Sequence, residues 1–294
     1  MIRCEQAAAG DVPALKQLWK QSFDDTDRAI DLFFSRYFEP RDCVVCREDG
    51  EPAAMAHMLP VQMAGESGSL PCHYIYAAAT RPESRGRGRM RALLQYAAEY
   101  GERRGDRYSV LVPANRPLFA YYERLGYRTF SSVRKVILSK EDCLALCGEK
   151  NADEVKPGHG ETLDWSSILQ IRDRYAAARP GSLLWDLEAI RRAAALSGVY
   201  GGFVIQPDPD GYAFVRRTSA EEIELFECIA GEKAFDKIMD KVVKLSFRVC
   251  TVRLPADSAL LAGRGERFDF AMYRPLGQSP ERTDPCPYVG LPLD

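Results

Sequence analysis

No run of apolar residues in this 294-residue chain approaches the ~20 needed to cross a bilayer, and Met1-Ile-Arg-Cys-Glu has no hydrophobic signal core. A cytoplasmic protein without a membrane partner is therefore expected. Net charge is scarce too: 40 Lys and Arg against 42 Asp and Glu leave −2. No global field then directs the chain to nucleic acid or to an anionic membrane. The nine cysteines are an odd number without regular spacing, which suits reduced thiols rather than a disulfide framework. Cys43 and Cys46 stand three apart in a strand-like run and so face opposite ways, which argues against a metal or redox pair. No metal site is expected.

What is present is an ordinary globular composition, 46% hydrophobic and 28% charged, over a length that predicts two domains. Helical stripes run through Leu15, Leu18, Trp19 and Phe23, over about 12–22, and through Ile30, Phe33, Phe34 and Tyr37. Asp49-Gly50 predicts a hairpin between strands at 43–47 and 52–58, and Val61–Met63 continues that sheet. A strand from near Leu70 to Thr80 enters a glycine turn, and Met90, Leu93, Leu94, Ala97 and Ala98 then mark a helix that Gly105 ends. Strand Tyr108–Val112, a short helix from Asn115 to Gly126 and strand Val133–Leu138 complete the first half.

After a linker at Gly148–Gly160, the second half repeats the pattern. It has helices Ser166–Ala178 and Leu183–Leu196, a hairpin at 202–206 and 211–215, strand Glu222–Ile229, helix Ala234–Leu245 and strand Arg248–Leu254. The expected division is a catalytic domain at 1–140, a linker at 141–160, a second domain at 161–275 and a Pro-rich tail at 276–294.

The turn holds the chain's sharpest local conflict. Arg85, Arg87, Arg89 and Arg91 sit where a helix begins, although cations there cost roughly 0.3–1 kcal/mol each. A bound anion would reverse the sign, with Gly86 and Gly88 letting the backbone approach it.

This order resembles the GNAT acetyltransferase superfamily. Arg85, Gly88 and Met90 stand at the three marked places of its acyl-CoA turn, two matching and Met90 replacing the usual Gly or Ala. The second signature is complete: Asn115, then Tyr122-Glu123-Arg124-Leu125-Gly126-Tyr127. The variant turn and the duplicated second half are similar to the tandem-GNAT subgroup that includes the enhanced-intracellular-survival aminoglycoside acetyltransferases. The resemblance implies an α/β (α+β) tandem GNAT fold: a mixed, mostly antiparallel sheet flanked by helices, with a degenerate second domain. Gly231-Glu-Lys-Ala234 has no Arg-rich turn, so that domain is expected to shape the acceptor cleft or a homo-oligomer contact.

The implied co-substrate is acetyl-CoA. Ala78, Ala79 and Thr80 would lie along its pantetheine arm, an amide near Ala78 or Ala79 would face the oxyanion, and Arg85, Gly86, Arg87, Gly88, Arg89, Met90 and Arg91 would hold the pyrophosphate. Asn115 belongs to the same site, and Tyr122 is the implied general acid. The strand from Tyr74 to Thr80 has no Asp or Glu, which leaves the base open between His57, His73 and water. In the aminoglycoside-modifying relatives the C-terminal carboxylate enters the active site, so an end at 288–294 that docks in the cleft is one expectation and an unstructured tail the other. The expected activity is acetyl transfer to a primary amine of a small molecule or peptide; the alternative is a non-catalytic acyl-CoA-binding regulatory protein. A transferase using aminoacyl-tRNA fits the near-neutral charge poorly.

Overall fold

The computed structural model describes residues 3–147, 163–282 and 287–291; the linker at Gly148–Gly160 and the last three positions lie outside them. The described residues form two compact units, one of 3–130 with 270–282, the other of the remainder. The first contains β1 (Arg3–Gln6), α1 (Val12–Lys20), α2 (Asp27–Arg36), β2 (Cys43–Glu48), β3 (Glu51–Gly65), β4 (Gly68–Thr80), α3 (Arg89–Arg104), β5 (Tyr108–Leu111) and α4 (Arg116–Glu123). Strand β6 (Arg128–Ser139) leads into the second. There follow α5 (Lys140–Cys147), α6 (Trp165–Ala177), β7 (Leu183–Leu184), α7 (Leu187–Val199), β8 (Phe203–Asp208), β9 (Gly211–Arg217), β10 (Glu222–Ala230), α8 (Glu232–Val242) and β11 (Val249–Pro255). Strand β12 (Glu266–Pro275) brings the chain back.

Local chemistry accounts for most of these boundaries. The Thr26 hydroxyl caps α2 by accepting from the Ala29 amide at 3.3 Å. Asp49 and Gly50 have φ of 53° and 88°, so both central residues of the β2–β3 turn are left-handed, as a tight hairpin requires. Gly105 closes α3 at φ 94°. One strand lies outside the sequence expectations, and one expectation needs correction. β1 carries no clear strand signal and exists because it pairs with β2. Cys4 and Cys46 face each other in that pairing and are joined as a disulfide, so the thiols are not all reduced.

In the first unit the strand order is β1-β2-β3-β4-β5-β12, antiparallel throughout except for β4 beside β5. Leu93, Leu94 and Ala97 of α3 are buried against Ala56, Met58 and Ile75 of the sheet. In the second the order is β6-β11-β10-β9-β8, again antiparallel except for β10 beside β11. Phe235, Ile238, Met239 and Val242 of α8 form its core with Leu225, Cys250 and Val252. The mixed, mostly antiparallel α/β architecture is thus present twice. Each unit takes its last strand from across the chain: β12 closes the first, β6 the second.

The end of the chain is packed. Tyr288, Val289 and Leu291 are buried in the second unit. The Glu227 carboxylate accepts from Tyr212 Oη at 2.5 Å, Tyr288 Oη at 2.9 Å and the Leu291 amide at 2.7 Å. Arg172, fully buried, lies 3.5 Å from Glu227 and donates to the Val289 carbonyl at 3.0 Å. Among the described residues the tail is therefore a docked segment.

Candidate active site

β4 pairs with β5 only over Cys72–Tyr74. β4 then runs on to Thr80 while β5 ends at Leu111, leaving a notch along β4. At the mouth of this notch β4 carries two residues, Ala77 and Ala78, opposite one on β3. This bulge holds Ala77 at φ 48°, a left-handed state that costs a non-glycine residue roughly 1–2 kcal/mol. An amide in a bulge has lost its ladder partner, so it is available to a ligand. Ala77 and Ala78 are half-buried and Ala79 is buried, so small side chains line the notch without filling it.

β4 ends in the Arg-Gly turn. Gly88 caps α3 with φ 75° and no side-chain hydrogen bond. The Ala92 amide bonds back to the Gly88 carbonyl at 3.0 Å, which leaves the amides ahead of it without a helical acceptor. A Cβ on Gly86 or Gly88 would meet nothing within 4 Å, so the turn is open where a diphosphate would approach. Met90 packs its side chain on the α3 core, and as the second residue of α3 its backbone amide has no helical acceptor.

The arginines divide. Arg89 donates to Glu48 Oε1 at 2.8 Å, and Arg87 lies 3.7 Å from the same oxygen. Ser84 donates to Glu48 Oε2 at 2.7 Å. The Arg89 and Ser84 hydrogen bonds, with the nearby charges, hold the Glu48 carboxyl down at about 2. The sequence conflict at the helix start is therefore relieved in part by a carboxylate from the β2–β3 hairpin, for which sequence spacing has no signal. Arg85 donates to the Thr80 carbonyl at 3.0 Å. Among the described residues, Arg85 and Arg91 have no carboxylate partner. Arg85 and the free amides fit a phosphate group at the turn, and Arg91 stands at its edge.

Tyr122 packs its ring against Tyr127 at 5.8 Å and Tyr121 at 5.4 Å, and its hydroxyl has no hydrogen-bond partner among the described residues. Burial pushes the Tyr122 phenol well above its ordinary value, so it stays protonated. Tyr127, raised to about 12 by burial, shares a 2.6 Å hydrogen bond with Ser109. Asn115 is the N-cap of α4, its side-chain oxygen accepting from the Leu118 amide at 3.3 Å.

Neither histidine considered as a base stands in the notch as a free group. His73 is fully buried, Nδ1 is 2.7 Å from Asp106 Oδ2, and burial lowers its pKa. His57 is buried among Trp19, Phe33, Phe34, Phe38 and Tyr76, with ring centroids 4.8–6.5 Å away.

Residues 3–130 match the family model described as an acetyltransferase (GNAT) domain. No curated protein sequence matches the chain. Among solved structures, a GCN5-related N-acetyltransferase from Kribbella flavida superposes with TM-score 0.71 at 17% identity, over 94% of this chain and 71% of its own. Eis1 from Mycobacterium abscessus gives 0.64 at 16%, over 94% and 73%. A tandem GNAT protein from the clavulanic acid biosynthesis pathway gives 0.52 at 12%, over 96% and 100%. Residues 3–130 thus match a GNAT acetyltransferase domain, and the chain as a whole has a fold similar to that of tandem GNAT proteins. Among the described residues no helix is long and apolar enough to cross a membrane.

Proposed function

We propose that the chain is an acetyl-CoA-dependent N-acetyltransferase acting on a primary amine of a small molecule or peptide in the cytoplasm. Its chemistry would lie in the first domain, the second having no cofactor turn. The observation that carries this reading is the continuity of the site: a bulged strand with a strained Ala77, an open Gly86/Gly88 turn and an unpartnered phenol at Tyr122 all lie in one unit.

Bound acetyl-CoA would supply the activated thioester, and CoA would leave as the thiolate, which takes its proton from solvent. The turn amides from Arg87 to Arg91, with Arg85, would hold its diphosphate, and an amide of the Ala77–Ala79 bulge would face the carbonyl oxygen. Tyr122 acts at its Oη. A phenol at or above its ordinary ~10 is a weaker acid than a thiol at ~8.5, so complete proton transfer to the sulfur would run uphill by ~2 kcal/mol or more. Tyr122 therefore keeps its proton and donates a hydrogen bond to the leaving sulfur. With His73 tied to Asp106 and His57 enclosed, deprotonation of the amine falls to solvent.

A thiol-release assay with acetyl-CoA across aminoglycosides, polyamines, amino acids and peptides tests the proposal. At least one amine class is expected to release thiol well above the rate with buffer alone. Binding of acetyl-CoA without turnover on any amine would favour the regulatory reading instead.

A further inference from the structure

Beside the proposed diphosphate turn, the first unit has a cavity of about 260 Å³ lined by Arg91 and Gln95 of α3, Arg124 and Leu125 after α4, and Arg274 of β12. That volume is below the ~300 Å³ at which ligand pockets usually begin, so it suits one compact group rather than a whole ligand. Three guanidinium groups and no carboxylate line it. Arg274 donates to Gln95 Oε1 at 2.9 Å, and the Gln95 amide donates in turn to Glu99 at 2.9 Å, so the glutamine orients the arginine. Arg124 donates only to a backbone carbonyl, that of Ala120, at 3.2 Å. Among the described residues none of the three arginines pairs with a carboxylate, in contrast to Arg87 and Arg89 on Glu48. Three uncompensated cations around one small cavity repel each other unless an anion joins them, and guanidinium forks match phosphate oxygens.

The position narrows the ligand. Arg91 lies in the first turn of α3, at the edge of the diphosphate cradle, and Gln95 lies one turn, ~6 Å, further along. A ligand held here and at the cradle carries a diphosphate and, a short distance away, a separate phosphate monoester. Coenzyme A has that pattern in its adenosine 3′-phosphate. We propose that Arg91, Arg124 and Arg274 form the site for this phosphate, so that the protein selects the acyl donor by its 3′-phosphate as well as by its diphosphate. The inference rests on the acetyl-CoA reading above. It adds Arg274, which reaches the cavity from the returning strand, some 150 residues after the cofactor motifs, where no local motif points to it.

Calorimetric titration of the full chain with CoA and with dephospho-CoA, which differ only in the 3′-phosphate, tests it. Wild type is expected to bind CoA at least ~10-fold more tightly, with the ratio shrinking as salt screens these charges, of which Arg91 and Arg124 are exposed and Arg274 half-buried. Arg274→Gln and, separately, Arg124→Gln should bring CoA affinity close to that of dephospho-CoA while changing dephospho-CoA affinity less than ~2-fold. Adenosine 3′,5′-bisphosphate should compete for the site where inorganic phosphate at equal concentration does not, separating a nucleotide site from a general anion site. Equal affinity for CoA and dephospho-CoA in wild type would overturn the inference and leave the acetyl-CoA reading intact. Failure of both to bind would overturn the two together.

Discussion

The two units run five corresponding strands in the same order, the first adding β1 at its edge, yet their central strands end differently. In each, a strand with a bulge lies parallel to its neighbour over only a few residues: β4 beside β5 over Cys72–Tyr74, and β10 beside β11 over Glu222–Leu225. Beyond the bulge, β4 presents Ala78 and Ala79, half-buried and buried, and leads into the open Gly86/Gly88 turn. Beyond its own bulge, β10 presents Glu227 with its side chain fully buried, covered by Arg172, Tyr212 and Tyr288. It then passes through Gly231, at φ −77°, straight into α8, whose first residue is the acidic Glu232. One notch is kept empty by small residues and open glycines; the other is filled by the chain's own tail. Fold alone therefore does not make a site: the same scaffold leaves an open notch in one unit and is packed by buried side chains in the other.

The comparison can be broken from either side. The largest effect is expected at the filled notch. Glu227→Ala leaves Arg172 as an unpaired buried charge and should cost about 3–5 kcal/mol of stability in denaturant unfolding, with acetyl-CoA affinity of the folded protein unchanged. A cost below ~1 kcal/mol would mean that the tail network is not what closes the second unit. At the open notch, Tyr122→Phe removes the only phenol hydroxyl proposed for the leaving sulfur; loss of one hydrogen bond to a charged group, about 1.5–3 kcal/mol, should lower turnover roughly 10- to 100-fold, without weakening acetyl-CoA binding. Unchanged turnover would remove Tyr122 from the chemistry. Ala78→Glu places in the first unit the kind of residue that fills the second, and should weaken acetyl-CoA binding at least ~10-fold, since the notch would then hold an unpaired carboxylate. The smallest effect concerns Glu48. Its carboxyl is held at about 2 against an ordinary 4.5, so the stability it contributes is complete above pH 4.5 and is lost as pH falls toward 2. Glu48→Gln should narrow the stability difference between pH 5 and pH 2.5; an identical pH dependence would show that the Arg87 and Arg89 pairing contributes nothing.

Local signals carried much of this to the reader of the sequence. The α3 stripe, the Asp49-Gly50 turn and the strand–turn–helix order are set by residues within a few positions of one another, and each is present in the structure. So are the GNAT resemblance and the duplication. What could not be read were pairings over long separations. Glu48 meets Arg89 across 41 residues, and Arg172 meets the Val289 carbonyl across 117. The exchange of β6 and β12 between the units depends on which sheet edge each strand reaches, which alternating side chains alone do not specify. β1 is short and half-polar, so it exists as a strand only because β2 offers an edge. Asn115 shows the converse: a residue matched by a motif turns out to cap a helix, a role its spacing alone would also explain.

The central claim is that one of the two similar units holds acetyl-CoA and the other does not. Calorimetric titration of the wild-type chain with acetyl-CoA tests this most directly. One site per chain is predicted, lost when Gly88→Val closes the turn of the first unit; two sites per chain, none, or a single site indifferent to Gly88→Val would contradict it.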